Sequence, residues 1–461
     1  MLVTTVSTSV RMRRQHSEWL IKPSILKLGL RVLVFAFLSQ AAAEDRPRAG
    51  QATASPSPGL QNGAQADASD SNSDSTNDEE SEEKSRSKLA EGILPGRIKI
   101  PGTRASLRFS GYAKVDFIQD LDPIDNEFQF QVNSIPVEGS ADSKLGGRTT
   151  LSAKEMRFNL DLLAETSSGE AHAFLEGDFF GDGTSFRLRH GFGEWRGWLG
   201  GQTWTTFMDI AIRPHTLDSE GPDSEIFLRQ PMIRYTGKPS DTLEWAVAVE
   251  DPDSQVSVPA AISGEGRSEF PDIPGYVRFE PDWGSVQLAG IVRQLRYVGE
   301  SGNIDETALG YGLNLSGRTK VGKRDAIMGQ IVVGRGIGRY VNSFAGTDSD
   351  AALTPAGNLE ALPVSAAVVA FDHYWSERLR STVSLSYAEI DNDPSQPDSA
   401  IHKTQSPHAN LVWHASDLVM FGGEVMWGRR TNKNGDRGEA WRVQFSLKVD
   451  FNRWATAVTG D

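Results

Sequence analysis

The groups able to do chemistry in this 461-residue chain are guanidinium and carboxylate side chains rather than nucleophiles. There is no cysteine, so disulfides, thiolate metal sites and thiol catalysis are excluded. No G-x-S-x-G elbow is present. The eight histidines show no H-E-x-x-H or other paired metal spacing. His408 and His414 share one face of an alternating run with His402 nearby, a pattern that fits polar packing better than a metal. Gly334, Gly336 and Gly338 form G-x-G-x-G inside a strand-like run with no helix behind it, which argues against a dinucleotide site. A Ser–His–Asp site assembled from separate strands stays open, because such sites are defined by geometry. No metal and no cofactor is expected. What remains is a recurrent placement of arginine on the polar side of short alternating runs.

Those runs are the positioning elements. In Trp441 to Phe451 every second residue is apolar: Trp441, Val443, Phe445, Leu447, Val449 and Phe451. Between them stand Arg442, Gln444, Ser446, Lys448 and Asp450. Period 2 is a strand with one oily and one wet face, here of the length that crosses an outer membrane. Similar runs recur at 107–117, 155–162, 170–179, 186–195, 197–206, 229–236, 242–250, 275–280, 285–297, 307–315, 325–337, 364–375, 379–390, 408–414, 418–429 and 439–451. The fold class is therefore all-β: a transmembrane antiparallel barrel of about 16 strands. Short connections (165–169, 237–241, 281–283, 376–378, 415–417) alternate with long ones (120–150, 206–228, 251–274, 340–363, 391–406), as periplasmic turns and external loops should.

With the oily face toward lipid, parity turns Arg108, Lys114, Arg157, Arg234, Arg278, Arg293, Arg380 and Arg442 toward the lumen, together with Glu155, Asp161, Glu176, Asp178, Glu244 and Glu424. Arg187 and Arg189 lie in a strand of ambiguous parity. Its neighbours Gly191, Gly193, Gly197, Gly200 and Gly201 leave room for something packed inside. The third long loop, 206–228, is the expected inward-folded constriction, with Asp209, His215, Asp218, Glu220 and Asp223. An acidic loop opposite a basic wall would set a transverse field across a watery gap. The bland reading is that each lumenal arginine pairs across strands to neutralise a buried carboxylate.

Ahead of the barrel, Arg11, Arg13, Arg14, Lys22 and Lys27 precede an apolar stretch, Leu28 to Leu38, and the small residues Ala41 to Ala43. This reads as a signal peptide over 1–43. Residues 44–93 are low-complexity and acidic, from Asp67 through Glu83 without a base, and read as a disordered linker on the periplasmic side. The barrel domain is placed at 94–452 and a short tail at 453–461. Net charge is −14, which argues against nucleic acid as a partner. The expected partners are outer-membrane lipid, the outer-membrane assembly machinery and small solutes, anions more than cations by the arginine count.

Several stretches together resemble the DcaP-like outer-membrane porins. They are Leu94 to Thr103 (L-P-G-R-I-K-I-P-G-T), Phe186 to Trp195 (F-R-L-R-H-G-F-G-E-W), Gly201 to Met208 (G-Q-T-W-T-T-F-M), Thr216 to Pro222, Arg229 to Thr236 (R-Q-P-M-I-R-Y-T), Arg335 to Tyr340 and Glu424 to Arg430. The resemblance implies a sixteen-stranded homotrimeric porin that favours small anionic solutes such as dicarboxylates. It implies pore or loop-anchoring roles for Arg187, Arg189, Arg229 and Arg234. Two features depart from it: the N-terminal segment lacks heptads, and Phe451 is followed by ten further residues. Against this diffusion-porin reading stand a barrel hydrolase and a secreted all-β binding protein.

Overall fold

The computed structural model describes residues 96–300 and 302–451. The expected signal peptide, acidic linker and C-terminal tail lie outside the described residues. Sixteen strands form one closed ring: β1 Ala105–Asp120, β2 Arg157–Thr166, β3 Gly169–Asp178, β4 Arg187–Trp195, β5 Trp198–Trp204, β6 Arg229–Ser240, β7 Leu243–Glu250, β8 Ile273–Phe279, β9 Gly284–Gly299, β10 Asp305–Val321, β11 Asp325–Arg335, β12 Pro363–Tyr374, β13 Leu379–Ile390, β14 Ile401–His414, β15 Val419–Asn432 and β16 Arg437–Asp450. Each pairs antiparallel with the next. β1 closes the ring, pairing with β2 from Ala105↔Ala164 to Tyr112↔Arg157 and with β16 from Tyr112↔Asp450 to Asp120↔Arg442. A short strand, Arg148–Ser152, continues the β2 edge along the upper part of β1.

The alternation seen in the sequence becomes an inside and an outside. On β1, Val115 and Phe117 are 40% exposed, while Lys114, Asp116, Ile118 and Asp120 between them are buried. Large apolar side chains stand exposed along the outer face, including Leu313, Leu385, Leu411, Val425 and Phe445. Exposure to solvent would be costly for so much apolar area; against lipid it is favourable.

Several details depart from the expectation, each for a physical reason. β14 begins at Ile401 rather than 408, because above the apolar band both faces are polar and no alternation is visible. β2 begins at Arg157, with Glu155 in the preceding turn. β11 ends at Arg335, so Gly336 and Gly338 belong to the following loop; Gly336 has φ +67°, and a Cβ on Gly338 would lie 2.3 Å from the Ser349 carbonyl oxygen. The parity of β4 is settled by a β-bulge opposite Glu176 and Gly177, which turns Arg187, Arg189 and then His190 inward. Beyond the bulge, Gly193 and Gly200 face out, so the glycines of β4 and β5 do not make room for the constriction.

That room comes from the opposite wall. A Cβ on Gly422 would sit 2.8 Å from the Leu217 side chain, and one on Gly428 2.9 Å from Val132. Loops 121–147, 205–228 and 336–362 all bury apolar side chains inside the barrel. Phe207, Ile226, Tyr340, Val341 and Phe344 pack on the inward residues Ala289, Ile291, Val332, Val364, Ala366 and Ala388. Phe130, Val132 and Ile135 pack with Met426 and Ala440. The inner face of β9 to β13, where loops cover it, therefore mixes these apolar residues with polar ones such as Gln287, Asn314, Ser316 and Gln330.

The two-faced reading has a direct consequence. Val425→Arg puts a charge on the lipid face near mid-strand and should cost about 2–4 kcal/mol of folding free energy in bilayers. Denaturant-dependent folding into lipid vesicles measures this, and an unchanged midpoint would contradict a lipid-facing Val425.

Candidate functional site

Loop 205–228 is anchored along most of its length by wall groups. Its entry is held by Glu250 of β7, which accepts from Thr205 Oγ1 at 2.6 Å and from the Thr206 amide at 2.7 Å. Asp209 accepts from Arg278 Nη1 and from Ser316 Oγ, both at 2.8 Å. Asn314 donates to the Phe207 carbonyl at 3.0 Å. At the far wall Lys114 donates to the Leu217 carbonyl at 2.6 Å, Asn410 donates to the His215 carbonyl at 2.8 Å, and Glu424 accepts from the Leu217 amide. The loop thus crosses the lumen from β5 and β6 to β14, β15 and β1.

Its carboxylates hold loops together. Asp218 accepts from the Phe130 amide at 3.0 Å and lies 3.9 Å from Arg442. Glu220 accepts from Gln129 at 2.6 Å and Gln131 at 3.0 Å. Asp223 accepts from the Val132 amide at 3.2 Å and Ser343 at 2.7 Å. Glu225 accepts from Arg213 at 2.8 Å. The expected picture of loop acids opposing a basic wall across water is replaced by one in which those acids are buried ties between loops.

The predicted arginines fall into two groups. Arg293 and Arg442 are fully buried and paired: Arg293 with Asp272 at 3.2 Å and Asp350 at 3.0 Å, Arg442 with Asp120 at 2.5 Å. Lys114 is likewise buried against Glu155 and Asp116. These are structural. Arg157, Arg187 and Arg189 gather on β2 and β4 around two carboxylates. Arg187 makes a bidentate pair with Asp178 at 3.0 and 2.8 Å, Arg189 reaches Glu176 at 2.8 Å and Asp178 at 3.0 Å, and Arg157 lies 3.8 Å from Glu176. Arg229 stacks 4.6 Å over the Trp204 ring nearby. Arg234 faces Glu194 at 3.9 Å.

A second basic cluster surrounds Asp372 on β12. Arg318 lies 3.8 Å from it and His215 Nε2 3.9 Å. Burial first, then Arg380, Arg318, Lys448 and His414, hold His215 well below the usual histidine range. Arg318, Lys448 and His414 were not singled out as a group from the sequence. They lie on β10, β16 and β14, and only barrel closure brings them together.

In both clusters the carboxylates sit behind the cations. Asp178 and Asp372 side chains are 0% and 1% exposed, whereas those of Arg187 and Arg318 keep 36% and 29%. Arg108 keeps 35% against 8% for Asp161. The order is reversed at Glu194, 41% exposed beside Arg234, and at Glu280, 56% exposed beside Arg278. At Arg187, Arg318 and Arg108 the guanidinium is thus the more accessible partner of its pair.

A closed sixteen-stranded barrel with an apolar outer band, and with its third external loop folded inside, is the architecture of porin-type outer-membrane proteins. The family model described as DcaP outer membrane protein matches residues 83–451, and the chain belongs to this family. Among solved structures, the outer membrane channel DcaP of Acinetobacter baumannii is similar with a TM-score of 0.69 and 22% identity, over 78% of this chain and 100% of that one. OmpT of Vibrio cholerae is similar with a TM-score of 0.50 and 11% identity, over 77% of this chain and 100% of that one. No curated protein matches the sequence.

The buried loop acids give the constriction a pH dependence. Burial pushes Asp218 up to about 7 against the pull of Arg442, with Glu424 and Glu220 adding to the rise. It pushes Asp223 up to about 6 and Glu225 up to about 7, against Ser343 and Arg213 respectively. A raised folded-state value means that the stabilisation is full below the ordinary carboxylate range and is lost as pH rises through 6 to 7. Amide exchange in 215–228, corrected for its intrinsic pH dependence, should therefore be faster at pH 8 than at pH 5. Equal protection at both would show that these carboxyls titrate normally.

Proposed function

We propose that the protein is a passive diffusion channel for small hydrophilic solutes, with a preference for anions such as dicarboxylates. The observation that carries this is the exposure asymmetry at three pairs: Arg187, Arg318 and Arg108 keep accessible charge, while their partners Asp178, Asp372 and Asp161 are buried. Fixed charge of one sign along a narrow, low-dielectric path raises the local concentration of the opposite ion. Arg187 and Arg318 are the most accessible members of the two clusters, with Arg157, Arg189, Arg229 and Arg380 beside them. Two cationic stations along the lumen suit a solute carrying two carboxylates. Arg278, Arg293, Arg442 and Lys114, together with Asp209, Asp218 and Glu220, act one step back by fixing the loop that narrows the path.

We assign the channel to a homotrimer packed through β2 to β5. These strands are short, and their outer face combines a ring cluster with small residues. Phe158 stacks 6.1 Å from Phe109 and 5.8 Å from Phe451, and Phe179 lies 5.9 Å from Phe186. A Cβ built on Gly200 meets nothing within 4 Å, so the outer face has open space there. Gly200→Trp is accommodated by the protomer and should convert the assembly to monomer, read by light scattering of the detergent-solubilised protein. A trimer that persists would place the interface elsewhere.

Reversal potential in planar bilayers under a salt gradient tests selectivity. The unmodified protein should show an anion bias, and Arg187→Gln with Arg318→Gln should move it toward zero. A cation bias in the unmodified protein would mean that Glu194 and the loop carboxylates dominate, and would overturn the reading.

A further inference from the structure

One outward-facing group of cations is not used by the lumen. Above the apolar band, at the end where the long loops leave the barrel, two polar rows run across β13 to β16. Strand register aligns Glu389, Lys403, Thr431 and Arg437 in the upper row. It aligns Tyr387, Gln405, Arg429 and Glu439 in the row beneath. These side chains share the parity of Val383, Leu411, Val425 and Phe445, all of them exposed on the outer face. A cleft of about 230 Å³ opens among Tyr387, Lys403, Gln405, Arg429, Thr431 and Arg437.

We infer that this cleft binds the phosphate of a phosphorylated glycolipid in the outer leaflet. Three features support it. Lys403 and Arg437 make no ion pair among the described residues, and they flank Thr431 on adjacent strands. Neighbouring strands lie about 4.8 Å apart, so the backbones of Lys403 and Arg437 stand roughly 10 Å apart with Thr431 between them. Both side chains are long enough to converge on one phosphate across that gap, and Arg is well matched to phosphate oxygens. Arg429, held by Glu439 at 2.8 and 2.7 Å and stacked 5.0 Å over Trp427, offers its remaining donors to the same space.

The third feature is depth. Directly below the cleft, Trp427 and Trp441 face each other at 6.4 Å, and Leu385 and Trp441 are exposed beside them. Paired tryptophans mark the boundary between headgroups and hydrocarbon. A ligand with its phosphate in the cleft would lay its acyl chains down the apolar faces of β13 to β16. A soluble anion would gain nothing from that continuity, so the geometry favours a lipid.

The test uses the full mature chain in detergent and native mass spectrometry. The probe is a bis-phosphorylated acylated disaccharide, compared with the same lipid after dephosphorylation. The phosphorylated form should be retained about tenfold better, and Lys403→Gln with Arg437→Gln should remove about that preference. Heat-modifiable migration on gels reports whether the variant barrel is folded, and the two-lipid comparison on the unmodified protein needs no variant. Equal retention of both lipids would overturn the inference, as would an unchanged preference in the folded double variant. Displacement of the lipid by millimolar inorganic phosphate would also overturn it, by showing a site for free anion.

Discussion

Closure of the ring is the constraint from which the rest follows. A strand in hydrocarbon has no water to satisfy its amides and carbonyls, so an edge there is prohibitively costly. β1 meets this demand by taking β2 along one edge from Ala105 to Tyr112 and β16 along the other from Tyr112 to Asp120, where Arg148–Ser152 continues the first edge. Once the edge is gone, every strand has one face toward lipid and one toward an enclosed space. The alternation of Val115 and Phe117 with Lys114 and Asp116 then acquires its meaning. The enclosed space is also what lets residues far apart in the chain, such as Arg318, Arg380 and Lys448, share one environment.

Enclosure creates a second problem, which the long loops solve. A ring of this size has more interior than side chains can fill. Loops 121–147, 205–228 and 336–362 occupy part of it and bring their own small cores, seated against glycines and alanines of the wall. Because the loop backbone is buried, its polar groups need partners. Wall side chains such as Asn314, Lys114, Asn410 and Gln287 donate to loop carbonyls. The carboxylates of 209–225 satisfy groups of the wall, of the neighbouring loops and of their own loop. The apparent acidity of the loop is mostly spent on its own placement, leaving the accessible charge of the lumen to the arginines.

The strand count and the face assigned to most lumenal side chains were legible in the sequence, because period 2 is a local property and lipid makes one face uniformly apolar. Legibility failed where that asymmetry fails. The upper part of β14 is polar on both sides, so Ile401 to Pro407 reads as loop. The inner faces of β9 to β13 carry Ala289, Ile291, Val364 and Ala388 beside Arg293 and Arg380, so only part of them reads as lumen. In β4 a single bulged residue reverses parity, and no local signal in F-R-L-R-H-G-F-G-E-W announces it. Gly191 to Gly201 looked like interior space and are in large part the outer wall.

The sequence by itself determined an all-β chain whose strands have one oily and one wet face, and hence a closed barrel. Those are consequences of side-chain order along each strand and of the need to satisfy the backbone in lipid. Only the tertiary structure decided which charges are ties and which are accessible. Arg293 and Arg187 have the same side chain and both face inward, yet one is sealed under Tyr340 with Asp272 and Asp350 while the other keeps a third of its surface. The difference lies in the loop that packs over each, and burial depends on contacts between segments that strand periodicity does not encode.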